Sequence, residues 1–202
     1  MKTIIRTTLI LAVLIFGINT ANAQIGPLSL GIKAGVNLSN VTDGDAKVGF
    51  NGGVTVDFAL PADLYLMSGL EYSLKGAKID EIDTKLNLSY LQLPVHLGYK
   101  LDIISGAKIV FHAGPYVGYA VDGKWKSGGV SVDAFGDEIA QVAGGIAKLK
   151  RFDFGVGLGA GVEFGKIGVG LGYDFGLADI YDGNLDGSIK NKNAYLTVGY
   201  KF

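Results

Sequence analysis

From Phe152 to Leu177 the chain alternates with a period of two. Phe154, Val156, Leu158, Ala160 and Val162 share one parity, and Asp153, Gly155, Gly157, Gly159, Gly161 and Glu163 share the other. After Gly165 and Lys166 the alternation resumes. Ile167, Val169, Leu171, Tyr173, Phe175 and Leu177 stand against Gly168, Gly170, Gly172, Asp174 and Gly176. A helix would scatter these residues around its circumference, whereas a strand sorts them onto two faces. Six further segments sort the same way: Leu28 to Leu38, Val48 to Phe58, Leu64 to Leu74, Leu91 to Tyr99, Ile109 to Val121 and Leu196 to Phe202. Their second faces carry Lys33 and Asn37; Asn51, Thr55 and Asp57; Tyr65, Glu71, Ser73 and Lys75; Gln92, His96 and Lys100; His112, Tyr116 and Asp122; Tyr195, Thr197 and Lys201. The pattern predicts eight strands.

The connections alternate too. Residues 60–63, 102–107 and 165–166 make short links, and 41–46, 79–85, 123–150 and 181–192 make long polar ones. Short turns at one end and long loops at the other describe an all-β, eight-stranded antiparallel up-and-down transmembrane β-barrel, with both termini at the short-turn end. Segments of about 9–11 residues suffice to cross the hydrocarbon when tilted.

A soluble lipocalin-like barrel shares this periodicity but keeps its apolar face inside. The glycines decide between them. Eight strands leave an interior that side chains just fill, so an inward face of Gly, Ser, Thr and Asn with a few charges fits, and the large apolar face turns outward to lipid. Glycine costs about 0.5–1 kcal/mol against alanine in a strand. Closure offsets that, because every backbone polar group in lipid needs a partner and a barrel has no edge. The inward charges, Lys33, Lys75, Lys100 and Lys201 with His96 and His112, against Asp57, Glu71, Asp122, Asp153, Glu163 and Asp174, are expected to form an ion-pair network filling the lumen.

Composition agrees. Glycine makes up 32 of 202 residues, against an average of about 7%. There is no cysteine, which excludes disulfides, a Cys-based metal site and a lipid anchor on a processed cysteine. At the N-terminus, Lys2 and Arg6 precede an apolar run from Leu9 to Ile18 and the small-residue stretch Ala21-Asn22-Ala23. This predicts a signal peptide over 1–23, cleaved after Ala23, and a barrel over 24–202. Cleavage lowers Lys+Arg from 18 to 16 against 19 Asp+Glu, leaving a net charge of −3. That argues against a nucleic-acid partner.

Candidate chemistry is sparse. His96 and His112 face inward on neighbouring strands and could ligate a metal or relay a proton. No serine or acid is tied to either by a recognisable spacing. No catalytic residue, cofactor or metal is therefore expected, and hydrogen-bonded lumen residues are the preferred reading. Gly155 to Ala160 fits the dinucleotide fingerprint formally, but that motif opens a helix and here the strand pattern runs straight on. Asp182, Asn184 and Asp186 begin a calcium-loop pattern, but Lys190 and Asn193 occupy its ninth and twelfth positions. A weak cation turn remains the alternative to a plain Asx turn. In the 123–150 loop, Phe135, Ile139, Val142, Ile146 and Leu149 fall at helical spacing, which predicts a short helix or hairpin that caps the barrel or docks a protein partner. Trp125 is expected at the lipid–water interface.

The stretches GIKAGVNLSN, SGLEYSLKGAK, YLQLPVHLGYK, GPYVGY, FGVGLGAGVEF and LTVGYKF, in this order across about residues 26–202, resemble the PorT-like outer-membrane β-barrel family of Gram-negative bacteria. The resemblance implies the eight-stranded barrel, export by a signal peptide, insertion into outer-membrane lipid by the barrel-assembly machinery, and Phe202 as its C-terminal assembly signal. The expected function is non-enzymatic, structural or interaction-based, and exercised through the extracellular loops. The alternatives are a small-solute channel or transport or secretion subunit, a soluble lipocalin-like binder and, more remotely, a barrel enzyme acting on lipid.

Overall fold

The computed structural model describes residues 28–42, 44–79, 84–136, 148–182 and 188–202. The signal segment, Asn184 and Asp186 of the candidate cation turn, and Ile139, Val142 and Ile146 of the long loop lie outside them.

The strands are β1 (Leu28–Val41), β2 (Lys47–Ala59), β3 (Leu64–Ile79), β4 (Thr84–Ile104), β5 (Ala107–Ser127), β6 (Val130–Asp133), β7 (Phe152–Phe164), β8 (Ile167–Gly176) and β9 (Asn191–Lys201). They run in the order β4-β3-β2-β1-β9-β8-β7-β5, and β4 pairs with β5, so eight antiparallel strands close on themselves. The seam between β1 and β9 pairs Gly31 with Lys201 at one end and Val41 with Asn191 at the other. Phe202 donates its N–H to Leu30 O at 2.9 Å, which brings the two described chain ends together at the short-turn rim.

The outer surface is an apolar band to which every strand of the barrel contributes: Val36, Phe50, Leu70, Leu93, Val117, Val156, Leu171 and Leu196 are all exposed. Exposure of this kind all round a closed sheet is what a lipid solvent requires. No helix among the described residues is long and apolar enough to cross a membrane.

Two expected placements, those of Asp122 and Trp125, change at the loop end. Residues 123–127 continue β5, and 124–127 pair with β6 across Gly128-Gly129, so the long connection opens as a hairpin. Between Ser89 and Tyr90 the register with β5 slips: Ser89 faces Asp122 and Tyr90 faces Ala120, leaving Val121 as an extra residue. A bulge inverts parity beyond it. Asp122 therefore turns outward, exposed and 3.8 Å from Lys124, and is no part of the lumen. Trp125 turns inward and is 4% exposed, away from the lipid–water interface.

Candidate functional site: the barrel lumen

The inward glycines serve a specific packing purpose. Each of several rings lies over the glycine opposite it on the next strand. Tyr195 covers Gly172, Tyr65 covers Gly98, Tyr116 covers Gly155 and His112 covers Gly159. A Cβ at Gly172 would collide with the Tyr195 ring, and one at Gly98 would collide with the Tyr65 ring. The alternation of glycine and large inward residues is thus a set of flat seats for rings in a narrow tube.

Lys33, Asp57, Glu71, Lys75, His96, Lys100, His112, Asp153, Glu163, Asp174 and Lys201 all face the lumen, and they fall into layers. At the short-turn end Lys201 bridges Asp57 and Glu163, with Lys100 at 3.5 Å from Asp57 and 3.3 Å from Glu163. Two cations and two anions cancel there, and the Lys100 ammonium also lies 4.5 Å from the centre of the Tyr65 ring. Lys33 pairs with Glu71 beside them. A cavity of about 440 Å³, lined in part by Ser29, Tyr65, Lys100, Lys108 and Glu163, opens from this layer at the short-turn rim.

The middle layer holds the histidines. Their rings stack at 5.1 Å between centroids, and the two Nδ1 atoms are 2.9 Å apart. One ring must donate and the other accept, so this contact needs at least one neutral histidine. Among the described residues no cluster of three or more metal-ligating side chains occurs. Gln92 donates to Asp174 at 3.2 Å, and Lys75 lies 3.7 Å from the same carboxylate, with its ammonium 4.9 Å from the Tyr116 ring centre. Above it, Asp153 accepts from Asn191 at 2.9 Å and from Tyr116 Oη at 3.4 Å, and Asn191 also donates to Tyr90 Oη at 3.1 Å. On the other wall Asn51 donates to Asn37, which donates to Ser73 Oγ and the Leu74 carbonyl.

At the loop end the interior becomes apolar. Leu86, Leu88, Tyr90, Ala120, Trp125, Ala134, Leu149, Ala178 and Ile180 form one buried cluster, with Phe135 and Ile189 packed against it. Backbone bonds knit the connections over it: Leu149 N to Ala134 O, Lys150 N to Ile180 O, Ile180 N to Ile189 O and Thr42 N to Lys190 O. Asp179 clamps its loop by accepting from Tyr181 N at 3.0 Å and Ile189 N at 2.9 Å. These bonds hold its carboxyl below the usual carboxylate range, the one from Tyr181 contributing most. Asp182 is exposed and lies 3.5 Å from Lys148, so its carboxylate already has a cation.

The sequence pattern placed Tyr65, Gln92, Tyr116 and Tyr195 inward without marking them as network members. Tyr90, Asn191 and Asn193 carried no signal beyond parity. The available clue was a large polar ring opposite a glycine, visible only once strands are set in register.

The backbone trace is similar to solved outer-membrane barrels. The outer membrane enzyme PagL aligns with a TM-score of 0.50 at 16% identity, covering 84% of this chain and 98% of that one. Neisserial surface protein A aligns with a TM-score of 0.49 at 15% identity, covering 88% and 98%. OprG from Pseudomonas aeruginosa gives 0.48 at 16% identity, covering 86% and 95%. At such identities the fold alone is shared. No curated protein matches the sequence. The match to the family described as outer membrane protein beta-barrel domain runs over residues 19–182. With that match, a closed eight-stranded sheet and an apolar exterior, the chain belongs to this family of integral outer-membrane β-barrel proteins.

Proposed function

We propose that this protein is a non-enzymatic, non-conducting barrel whose role is carried by its extracellular end, where the 123–150 connection offers a docking site for a protein partner. The observation that supports this is the filled interior: ion pairs and hydrogen-bonded polar side chains in layers under an apolar lid. A through-path would have to break the Lys201 bridges and part the Trp125 cluster. Catalysis is disfavoured because the histidines bond each other through Nδ1, inside the tube and away from the lipid face. The order of motifs from GIKAGVNLSN to LTVGYKF supports a PorT-like placement within the family, with assembly-machinery recognition of Phe202 and cleavage after Ala23 as its corollaries. N-terminal sequencing of the membrane-extracted protein checks the last point, Gln24 being the expected first residue.

The deciding experiment is planar-bilayer recording of the refolded mature chain. No stable open state is expected. Reproducible single-channel steps would instead support the small-solute channel reading.

A further inference from the structure

His96 Nε2 is buried and finds no hydrogen-bond partner among the described residues. It and Asp174 Oδ1 both come within 3.0 Å of the point that a Cβ on Gly157 would occupy, close enough for one water to bridge them. A carboxylate there favours an N–H on His96 Nε2. That makes His96 Nδ1 the acceptor and His112 Nδ1–H the donor in their mutual bond, and leaves His112 Nε2 a bare lone pair. His112 lines a cavity of about 110 Å³ that reaches Lys201 and Glu163 toward the short-turn end, with Thr55 and Thr197 along its wall. Such a volume holds several waters. Charge is unevenly shared along the lumen. In the short-turn layer Lys33, Lys100 and Lys201 match Asp57, Glu71 and Glu163. Beyond it a single buried lysine, Lys75, serves two buried aspartates, Asp174 and Asp153, among the described residues. A surplus buried negative charge is costly. The wall beside the pair is loosened as well. The β4–β5 ladder pairs Pro94 with Tyr116 and resumes at Leu97 with Ala113, passing over Val95 and His96 opposite Gly114 and Pro115. The β3–β4 ladder likewise passes over Leu93 and Pro94. A proline, which has no N–H to give, stands in each gap.

The geometry points to a proton-binding site made of His96, His112 and Asp174, reached by water from the short-turn side. The first proton passes from cavity water to His112 Nε2. His112 is then an imidazolium that still donates Nδ1–H to His96 Nδ1, so the ring contact survives as a charge-assisted bond and the surplus negative charge is offset. A second proton puts an N–H on both Nδ1 atoms. The rings must then part, and the backbone of His96, unladdered to β5, moves with its ring. Lys33 is the other charged group near both rings, and Glu71 neutralises it. Against the rings β7 sets only Gly157 and Gly159, and β9 sets Tyr195 over Gly172 in the next row. Lys75, Tyr116 and Asp153 stand on the loop-end side, and Asp57, Lys100, Glu163 and Lys201 stand across the cavity. The site is independent of any partner at the extracellular end.

The test is a nitrogen-15 and carbon-13 NMR titration of the mature full chain in phosphatidylcholine nanodiscs, from alkaline to acid pH. Ring-nitrogen shifts distinguish a bare nitrogen, an N–H and an imidazolium. The first uptake is expected on the pair, with the Nδ1–Nδ1 hydrogen-bond coupling retained. The second, at more acid pH, should abolish that coupling. It should also lower the amide protection factors of Leu97 and Ala113, where the β4–β5 ladder resumes. Asp174→Asn should weaken the first uptake on the order of 10-fold, the effect of losing an opposite charge within about 4–6 Å. The wild-type spectra alone decide which group carries the proton, so the test stands if that variant fails to fold. Rings that stay neutral until the barrel unfolds, or that titrate separately without coupling, would overturn the proposal. So would an Asp153 carboxyl shift showing that Asp153 takes the first proton instead. Unchanged protection at Leu97 and Ala113 through the second step would overturn the parting of the rings.

Discussion

Gly172 shows what a single residue contributes here. A methyl group at that position must displace the Tyr195 ring, and overpacking of this kind costs about 1–3 kcal/mol. Gly172→Ala should therefore lower the urea midpoint of unfolding in detergent. Gly155→Ala should cost more: a Cβ at either position meets a carbonyl oxygen that cannot swing aside, Leu158 O at Gly172 and Phe175 O at Gly155, and the approach to Phe175 O is the closer. Lys201 is the second case. Removing it leaves Asp57 and Glu163 facing each other with only Lys100 between them, and breaking a buried pair costs about 3 kcal/mol or more. Lys201→Met should unfold at lower urea, and adding Asp57→Asn should recover part of the loss. Asp179 supplies the pH dependence. Its folded carboxyl is held below the ordinary value, so its clamp is complete above the usual carboxylate range and is lost as pH falls through the depressed value. Protection factors at the Tyr181 and Ile189 amides, taken against the intrinsic exchange rate at each pH, should fall in that acid window, and in D179A they should be low at neutral pH as well. Inward charge at Lys33, Asp57 or Asp174 was legible from parity alone. The partner each charge would choose was not, because pairing depends on which strand lies across the tube.

Within β5, one extra residue sets the arrangement of the whole loop end. Val121 carries no local mark of a bulge, neither glycine nor a turn residue. Uninterrupted alternation therefore placed Asp122 inside, the indole's preference for interfaces placed Trp125 at the membrane surface, and the structure reverses both. Trp125 is the protein's single tryptophan, so the reversal is directly measurable. Its fluorescence should be blue-shifted and resistant both to brominated-lipid quenchers and to acrylamide. Quenching by lipid bromine would restore the interfacial placement. Deleting Val121 should restore parity, swing Trp125 outward and red-shift its emission. The apolar lid was illegible for a related reason. Leu86 comes from β4, Ala134 and Leu149 from the two ends of the 123–150 connection and Ile180 from the link before β9, and no window of the sequence contains enough of them to read as a core. By contrast, the three short links, the strand pairs they join and the eightfold count were plain, since a period of two and a tight turn are both local signals.

As a whole the molecule is a tube closed by its own sheet and filled from the charged layer to the lid, so its stability should be cooperative. Unboiled protein in SDS should migrate apart from boiled protein, and a single mobility would contradict a detergent-resistant barrel. The strands are unequal, however. β4 and β5 each have 21 residues, which at about 3.4 Å per residue and a tilt near 45° rise roughly 50 Å, against about 30 Å of hydrocarbon. The excess stands above the membrane and ends at Gly128-Gly129, both with positive φ (54° and 85°) and with open space around them. That tip is a natural handle. A peptide epitope inserted between the two glycines would interrupt no ladder and touch no lid residue, and antibody would reach it on intact cells. The same barrel could then carry a foreign sequence to the outside of the cell, at a height set by its longest hairpin.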